Sequence, residues 1–122
     1  MINHIKITVS DLKRSAAFYE KVLAPLGYHR QLEKKRTVSF SDDISSDPGG
    51  DFWLTMGTPV PGHFAFQAKD HQAVQEFFRL SLAAGGRSNG APGYRKNYHP
   101  SYYAAFIYDP DGYNIEAVCH KR

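Results

Sequence analysis

Three residues of this chain carry side chains of the kinds that bind divalent metal ions. His4 and His63 each stand at the start of an apolar stretch, and Glu116 lies within the last apolar run. Two neutral imidazoles and one carboxylate can hold a divalent metal while leaving coordination positions open for water or substrate. Such a site would polarise substrate oxygens, provided that the fold brings the three side chains together.

The two histidines occupy equivalent positions in an internal duplication. Residues 4–27 align with residues 63–86 at a constant offset of 59, which pairs His4 with His63. The identical pairs are His4 and His63, Asp11 and Asp70, Phe18 and Phe77, Leu23 and Leu82, Ala24 and Ala83, and Gly27 and Gly86. A repeat of this length predicts two copies of one supersecondary unit.

Composition narrows the class of protein. With 122 residues, 42% of them hydrophobic and 14% aromatic, the chain can bury the core of one domain. The formal net charge is only +3, and no aromatic residues interleave with the basic cluster at 30–36, which argues against a nucleic-acid partner. Cys119 is the only cysteine, so no disulfide forms within the chain. The sequence shows no signal peptide and no apolar run of roughly 20 residues, which predicts a cytoplasmic protein without a membrane partner.

Hydrophobic periodicity predicts the same order of elements in both copies: a strand, a helix and three further strands. The predicted fold class is therefore α+β, with two βαβββ modules in a single domain. The sequence Asp109-Pro110-Asp111-Gly112 forms the turn of the last hairpin, because Pro and Gly favour the backbone conformations of a turn. Module one covers residues 1–57, the linker 58–62 and module two 63–122.

Alternation along the strands places the three candidate ligands on one side of the sheet. In the first strand the odd-numbered side chains are apolar and cover the helix, so His4 points the other way with Lys6 and Thr8. The same parity turns His63 and Glu116 away from the helices. If the two modules pack so that these faces form a trough, the three ligands converge at its floor.

The chain resembles the vicinal oxygen chelate superfamily, which includes glyoxalase I, fosfomycin-resistance transferases, extradiol dioxygenases and bleomycin-resistance proteins. The resemblance covers nearly the whole sequence, and its last segment is the most specific. The segments that carry it are 4–12, 18–19, 23–27, 62–66 and 109–116.

The resemblance implies an architecture and a cofactor. The two modules would form an open cup-shaped mixed sheet with the helices on its outer face, completed by homodimerisation. Each site would hold one divalent metal, Fe, Mn, Zn or Ni, at His4, His63 and Glu116. Because it lies at the reacting centre, Glu116 would also count as a catalytic residue.

Two departures distinguish the chain from particular branches of that superfamily. Glyoxalase I has a fourth ligand, a glutamate on the last strand of its first module, and Trp53 stands at that position here. An indole does not ligate a metal, so Trp53 is expected to form a wall of the substrate site. The extradiol signature has a tyrosine where Phe106 stands, and extradiol enzymes commonly carry four modules. Both departures favour a different reaction on a similar site.

Module two supplies the remaining candidate residues. His99 is the candidate general acid or base, because imidazole titrates near neutral pH, and Tyr102 and Tyr103 are candidates for substrate binding. The stretch 85–101 is rich in Gly, Pro and Tyr and is too long for a simple turn, so it is expected to form a lid. Arg95, within it, is the candidate for binding an anionic group.

Three functions are compatible with these patterns. The ligand trio favours a metal-dependent lyase, isomerase or dioxygenase that acts on a small substrate with vicinal oxygens. The alternative is a metal-free binding protein similar to bleomycin-resistance proteins, with aromatic walls such as Trp53, Phe40 and Tyr102. A diverged scaffold with an interaction role is the third. The enzyme is preferred because the sequestering branch typically lacks intact ligands.

Overall fold

A computed structural model of the chain describes residues 2–44 and 48–122, so part of the connection between the third and fourth strands lies outside the described residues. Module one contains β1 (Ile5–Val9), α1 (Leu12–Val22), a short 3-10 helix (Ala24–Leu26), β2 (His29–Glu33), β3 (Thr37–Ser41) and β4 (Phe52–Met56). Module two contains β5 (His63–Gln67), α2 (His71–Ala83), β6 (Arg87–Tyr94), β7 (Tyr103–Tyr108) and β8 (Asn114–Cys119).

The two modules have the same topology. The sheet of module one has the strand order β1-β4-β3-β2, and that of module two has the order β5-β8-β7-β6. In each sheet the first and last strands of the module pair in parallel, and the other neighbours pair antiparallel. The α+β class and the two βαβββ modules are therefore confirmed, with the mixed sheet divided into two four-stranded sheets.

One helix covers one face of each sheet. The side chain of Asp11 caps α1 by accepting the Arg14 N–H, and Asp70 caps α2 by accepting the Ala73 N–H. Helix α1 packs on β3 and β4, α2 packs on β6, β7 and β8, and the helices contact each other. We call the opposite face of each sheet its open face. No helix among the described residues combines the length and apolar character that a membrane crossing requires.

The first of the three strands expected after the second helix is confirmed, and it occupies much of the stretch that was expected to form a lid. β6 occupies Arg87–Tyr94 and pairs with β7, with irregular register around Gly90 and Gly93. An edge strand tolerates Gly and Pro at bulges, so the turn-forming residues of this stretch do not make it a lid. Only residues 95–102 connect the two strands, and the backbone N–H of Arg95 donates to the Tyr102 carbonyl at 2.7 Å. The connection is a closed hairpin loop.

A buried carboxylate links the two modules. Asp109, in the turn between β7 and β8, is 3% exposed and accepts a hydrogen bond from the Tyr19 hydroxyl of α1. The backbone N–H groups of Asp111 and Tyr113 donate to it as well, each at 2.9 Å. Burial raises the pKa of Asp109 above its ordinary value of 3.8, although these three hydrogen bonds act in the opposite direction. The turn is thus fixed against module one.

Further polar contacts extend this link between the modules. The Asp111 carboxylate accepts hydrogen bonds from the backbone N–H of Ser10 at 3.0 Å and from the Arg14 guanidinium at 3.1 Å. The hydroxyl of Tyr113 donates to the carbonyl of Thr8 at 2.7 Å. The end of β1 and the start of α1 are therefore tied to the turn that begins β8.

We expect Tyr19→Phe to lower the free energy of unfolding by about 1–3 kcal/mol, the typical cost of leaving a buried polar group without its partner. Urea denaturation of the native and variant proteins measures the change. Tyr94→Phe is the matched control, because Tyr94 is 46% exposed and loses the same atom. Equal stability of the two variants would contradict the structural role given to the Tyr19–Asp109 hydrogen bond.

Candidate active site

Glu116 lies at the centre of the open face of module two. In the register of β8, Ala65 of β5 is its neighbour on one side and Phe106 of β7 on the other. His63 precedes Ala65 by two residues and so lies on the same face. Glu116 is only 2% exposed. A carboxylate buried to this degree requires partners for its oxygens.

Tyr102 supplies one of these partners. Its hydroxyl donates to Oε2 of Glu116. Burial, followed by the hydrogen bond to Glu116, raises the pKa of Tyr102 above its ordinary value of 10.0, and the positive charge of Arg95 acts weakly in the opposite direction. Tyr102 is therefore a protonated donor at neutral pH. It holds the carboxylate with the other oxygen, Oε1, turned toward His63.

His63 is oriented like a metal-ligating imidazole. Its Nδ1 lies 2.9 Å from the Asn114 backbone oxygen, and because that oxygen only accepts hydrogen bonds, Nδ1 carries a proton. Nε2 lies 3.3 Å from Oε1 of Glu116. Both atoms are of the kinds that bind a divalent metal cation, and they are close enough to bind the same one. A carbonyl partner on the remote ring nitrogen is typical of histidine ligands.

His4 does not join this pair within the chain. Its Nδ1 lies 2.7 Å from the side-chain oxygen of Asn3, and its ring lines a cleft of about 650 Å³ together with Tyr28, Asp51 and Gln67. Within residues 2–44 and 48–122, no three His, Cys, Asp or Glu side chains are grouped closely enough to hold one metal ion. The modules meet through their helices and core side chains, so His4 does not converge with His63 and Glu116 within one chain.

His99 lies next to Tyr102 and is paired with a second histidine. Its Nδ1 accepts the Ser101 backbone N–H at 3.1 Å, which leaves the proton on Nε2 to be donated to Nδ1 of His120 at 2.9 Å. Both imidazole rings pack edge-on against Tyr102, with centroids 5.3 Å away. The sequence did not single out His120. Strand alternation, which places His120 on the same face as Glu116, was the feature that could have identified it.

Arg95 and Phe106 form the other edge of the site. The guanidinium lies over the Phe106 ring, 5.3 Å from its centroid, and donates to the carbonyls of Ala91 at 2.8 Å and Gly93 at 2.9 Å. Phe106 in turn stacks on His63, with ring centroids 6.1 Å apart. Arg95 is thus held in one place beside the His63–Glu116 pair.

The remaining candidates divide between the two faces. Trp53 pairs with Lys6 and Ser39 on the open face of module one, and its Nε1–H donates to the Gly50 carbonyl at 3.1 Å. Tyr103 lies on the helix side, where it stacks on a histidine of α2 with centroids 3.9 Å apart. Tyr103 therefore faces away from Glu116, contrary to the prediction that it binds substrate beside Tyr102.

Strand alternation explains these placements. Tyr102 and Tyr103 are adjacent in sequence, so they face opposite sides of the sheet. Phe40 is fully buried in the core and does not wall an open site, contrary to the expectation from sequence. Of the three aromatic walls expected from sequence, Tyr102 and Trp53 lie on the open faces.

Comparison with known proteins identifies the family of this fold and site. Residues 1–117 match the model of the Glyoxalase/Bleomycin resistance protein/Dioxygenase superfamily. The chain therefore belongs to this superfamily. Its resemblance to vicinal oxygen chelate proteins is confirmed.

Named relatives and solved structures agree with this assignment. A lactoylglutathione lyase of Haemophilus influenzae is 32% identical, with 98% of this chain and 93% of the relative covered. A probable lactoylglutathione lyase of Vibrio cholerae is 30% identical, with coverages of 99% and 91%. The crystal structure of a glyoxalase/bleomycin resistance protein from Albidiferax ferrireducens superimposes with a TM-score of 0.79 at 26% identity, covering 96% of each chain.

We expect Tyr102→Phe to destabilise the protein by about 1–3 kcal/mol, because it removes the donor from a buried carboxylate oxygen. Thermal unfolding followed by circular dichroism measures the loss. Tyr98→Phe is the control, since Tyr98 packs edge-on against Tyr102 with ring centroids 4.9 Å apart but is 60% exposed. A Tyr102→Phe protein as stable as the control would show that Glu116 does not depend on this donor.

Proposed function

We propose that the protein is a metal-dependent lyase or isomerase that acts on a small substrate with vicinal oxygens. The observation that carries the proposal is the orientation of His63. Its protonated Nδ1 is bound to a backbone carbonyl, and its Nε2 faces the buried carboxylate of Glu116 at 3.3 Å. This donor set fits a divalent cation such as Fe, Mn, Zn or Ni, which Nε2 of His63 and the Glu116 carboxylate would hold.

The third ligand in this proposal is His4 of a second copy of the chain. His4 is exposed and lies just before β1, on the side where the open face of module one continues. A homodimer in which the open face of module one meets the open face of module two of its partner would bring His4 to His63 and Glu116. The outer edges of β1 and β5 have no partner strand among the described residues, so a second copy could also contact the molecule there.

The chemistry follows from the groups around this centre. A bound divalent metal would act as a Lewis acid toward two neighbouring substrate oxygens and stabilise developing negative charge. Tyr102 keeps the Glu116 carboxylate in a fixed orientation throughout. In this proposal the His99–His120 pair is the acid–base group near Tyr102. Because Ser101 N–H occupies Nδ1 of His99 and His120 accepts its Nε2–H, the pair would exchange a proton with substrate at Nε2 of His120.

The names of the relatives suggest which substrate to assay first. Two relatives, each at least 30% identical, are named lactoylglutathione lyases, so lactoylglutathione is the first choice. Trp53 leaves the proposed metal with three protein ligands, and its ring would wall the substrate site. Because of this difference, other small substrates with adjacent oxygens are to be assayed beside lactoylglutathione.

We expect the native protein to bind one divalent metal per chain and to turn over substrate only when metal is present. Glu116→Gln and His63→Ala should each lower metal affinity at least tenfold and abolish turnover. Elemental analysis after metal reconstitution and a steady-state assay measure the two effects. His71→Ala is the control, because this histidine lies in α2, on the helix side of the sheet, where it stacks on Tyr103. Equal metal content in native and His63→Ala proteins would contradict the proposal.

A mixing experiment tests whether the ligands come from two chains. His4→Ala and His63→Ala proteins are expected to bind little metal separately. When the two are unfolded and refolded together, each mixed dimer should regain one complete site, formed by His4 of one chain and His63 and Glu116 of the other. Metal content and sedimentation velocity measure the recovery. Mixed dimers that regain no metal would contradict the shared site.

A further inference from the structure

We propose that Arg95 binds an anionic group of the substrate, a carboxylate or a phosphate-like oxyanion, while the vicinal oxygens of the same molecule lie at Glu116 and His63. The inference rests on the proposed function in one respect, namely that a substrate occupies the open face of module two. The anion subsite itself is argued from the way the guanidinium is held.

The guanidinium of Arg95 is fixed before any ligand binds. One N–H of each terminal nitrogen is used, by the Ala91 and Gly93 carbonyls at 2.8 and 2.9 Å. An arginine has five N–H donors, so three remain for a ligand, which is enough for a two-pronged contact with an oxyanion. Among the described residues, no carboxylate lies within ion-pair distance of Arg95. Its charge is therefore not neutralised by a protein anion in that part of the chain.

Two glycines make room for this arrangement. A Cβ atom at Gly90 would come within 3.0 Å of one terminal nitrogen of Arg95, and a Cβ at Gly93 would come within 3.3 Å of the other. The irregular register of β6 at these residues turns its carbonyls toward the guanidinium. The Gly90–Gly93 bulge thus forms a seat for the cation on the open face. We call it the guanidinium seat.

The guanidinium seat adjoins the proposed metal ligands. Arg95 lies over Phe106, and Phe106 stacks on His63, so one aromatic ring separates the cation from the imidazole. The backbone of Arg95 is paired with that of Tyr102, whose hydroxyl binds Glu116. A molecule lying across Phe106 can therefore reach the cation with one end and the His63–Glu116 pair with the other. The apolar ring between them would contact the body of the substrate.

The first experiment uses the metal-depleted protein and does not depend on metal binding. Benzoate and phenylphosphonate are titrated while the side-chain Nε–H resonance of Arg95 is followed by NMR, with benzyl alcohol as the uncharged probe. We expect a saturable shift with the two anions and none with the alcohol. The stronger of the two anions identifies the preferred oxyanion. An Arg95 resonance that does not respond to either anion would overturn the inference even if the protein binds metal.

The second experiment uses the metal-loaded protein and a matched pair of chelating probes, 3,4-dihydroxybenzoate and catechol. Arg95→Met should weaken binding of the carboxylate-bearing probe about tenfold or more, the usual range for hydrogen bonds to a charged group, and change catechol binding less than twofold. Arg95→Lys should lose most of the same preference, because the ammonium lacks the planar fork.

Two further variants separate position from charge. Gly93→Ala keeps the guanidinium but crowds it, and it should reduce the preference for the carboxylate-bearing probe. Arg87→Met removes the same charge from a residue over the Tyr108 ring and should leave the preference intact. An equal effect of Arg87→Met and Arg95→Met would show that only net charge matters and would overturn the subsite. If benzoate binds at Arg95 but no metal binds, the proposed function fails and the anion subsite stands.

Discussion

The burial of Asp109 is the constraint on which the arrangement of the molecule depends. A carboxylate placed among core side chains must have its oxygens bound, and the structure supplies a tyrosine from α1 and two backbone N–H groups from its own turn. These bonds do two things at once. They fix the turn that begins β8, and they fix it against the first helix of the other module.

The position of the site follows from that turn. Once β8 is set, its pairing with β5 and β7 places Glu116 beside Ala65 and opposite Phe106. Glu116 is itself a buried carboxylate, and the same physical requirement brings Tyr102 to one oxygen and His63 to the other. The turn of the hairpin therefore holds one buried carboxylate, that of Asp109, and the middle of its second strand holds another, that of Glu116.

The two modules share a scaffold but carry different side chains on their open faces. Both use the same strand order, and both bury a helix on one face, so the duplication preserved the scaffold. The open faces differ, since module two carries Glu116, the paired histidines and the guanidinium seat, whereas module one carries Trp53, Lys6 and Ser39. A shared site between copies of the chain would combine the two surfaces, because each module then contributes what the other lacks.

The sequence by itself determined the features that depend on local periodicity. Alternation placed His63, Glu116 and Trp53 on the open faces, and the Asp-Pro-Asp-Gly turn was predicted from its residues. These predictions held because strand parity and turn chemistry are set by near neighbours along the chain. The same rule, applied to Tyr103, would have removed it from the site, since it is adjacent to Tyr102.

Only the tertiary structure decided which of these groups meet. His4 and His63 are equivalent in sequence, yet His63 alone reaches Glu116 within the chain, because the modules join through their helices rather than through their open faces. The His99–His120 pair and the guanidinium seat also depend on contacts between residues from different strands and loops. Periodicity assigns a side chain to a face, but it carries no information about distances between elements. Those distances are fixed by packing and by the buried hydrogen bonds of Asp109.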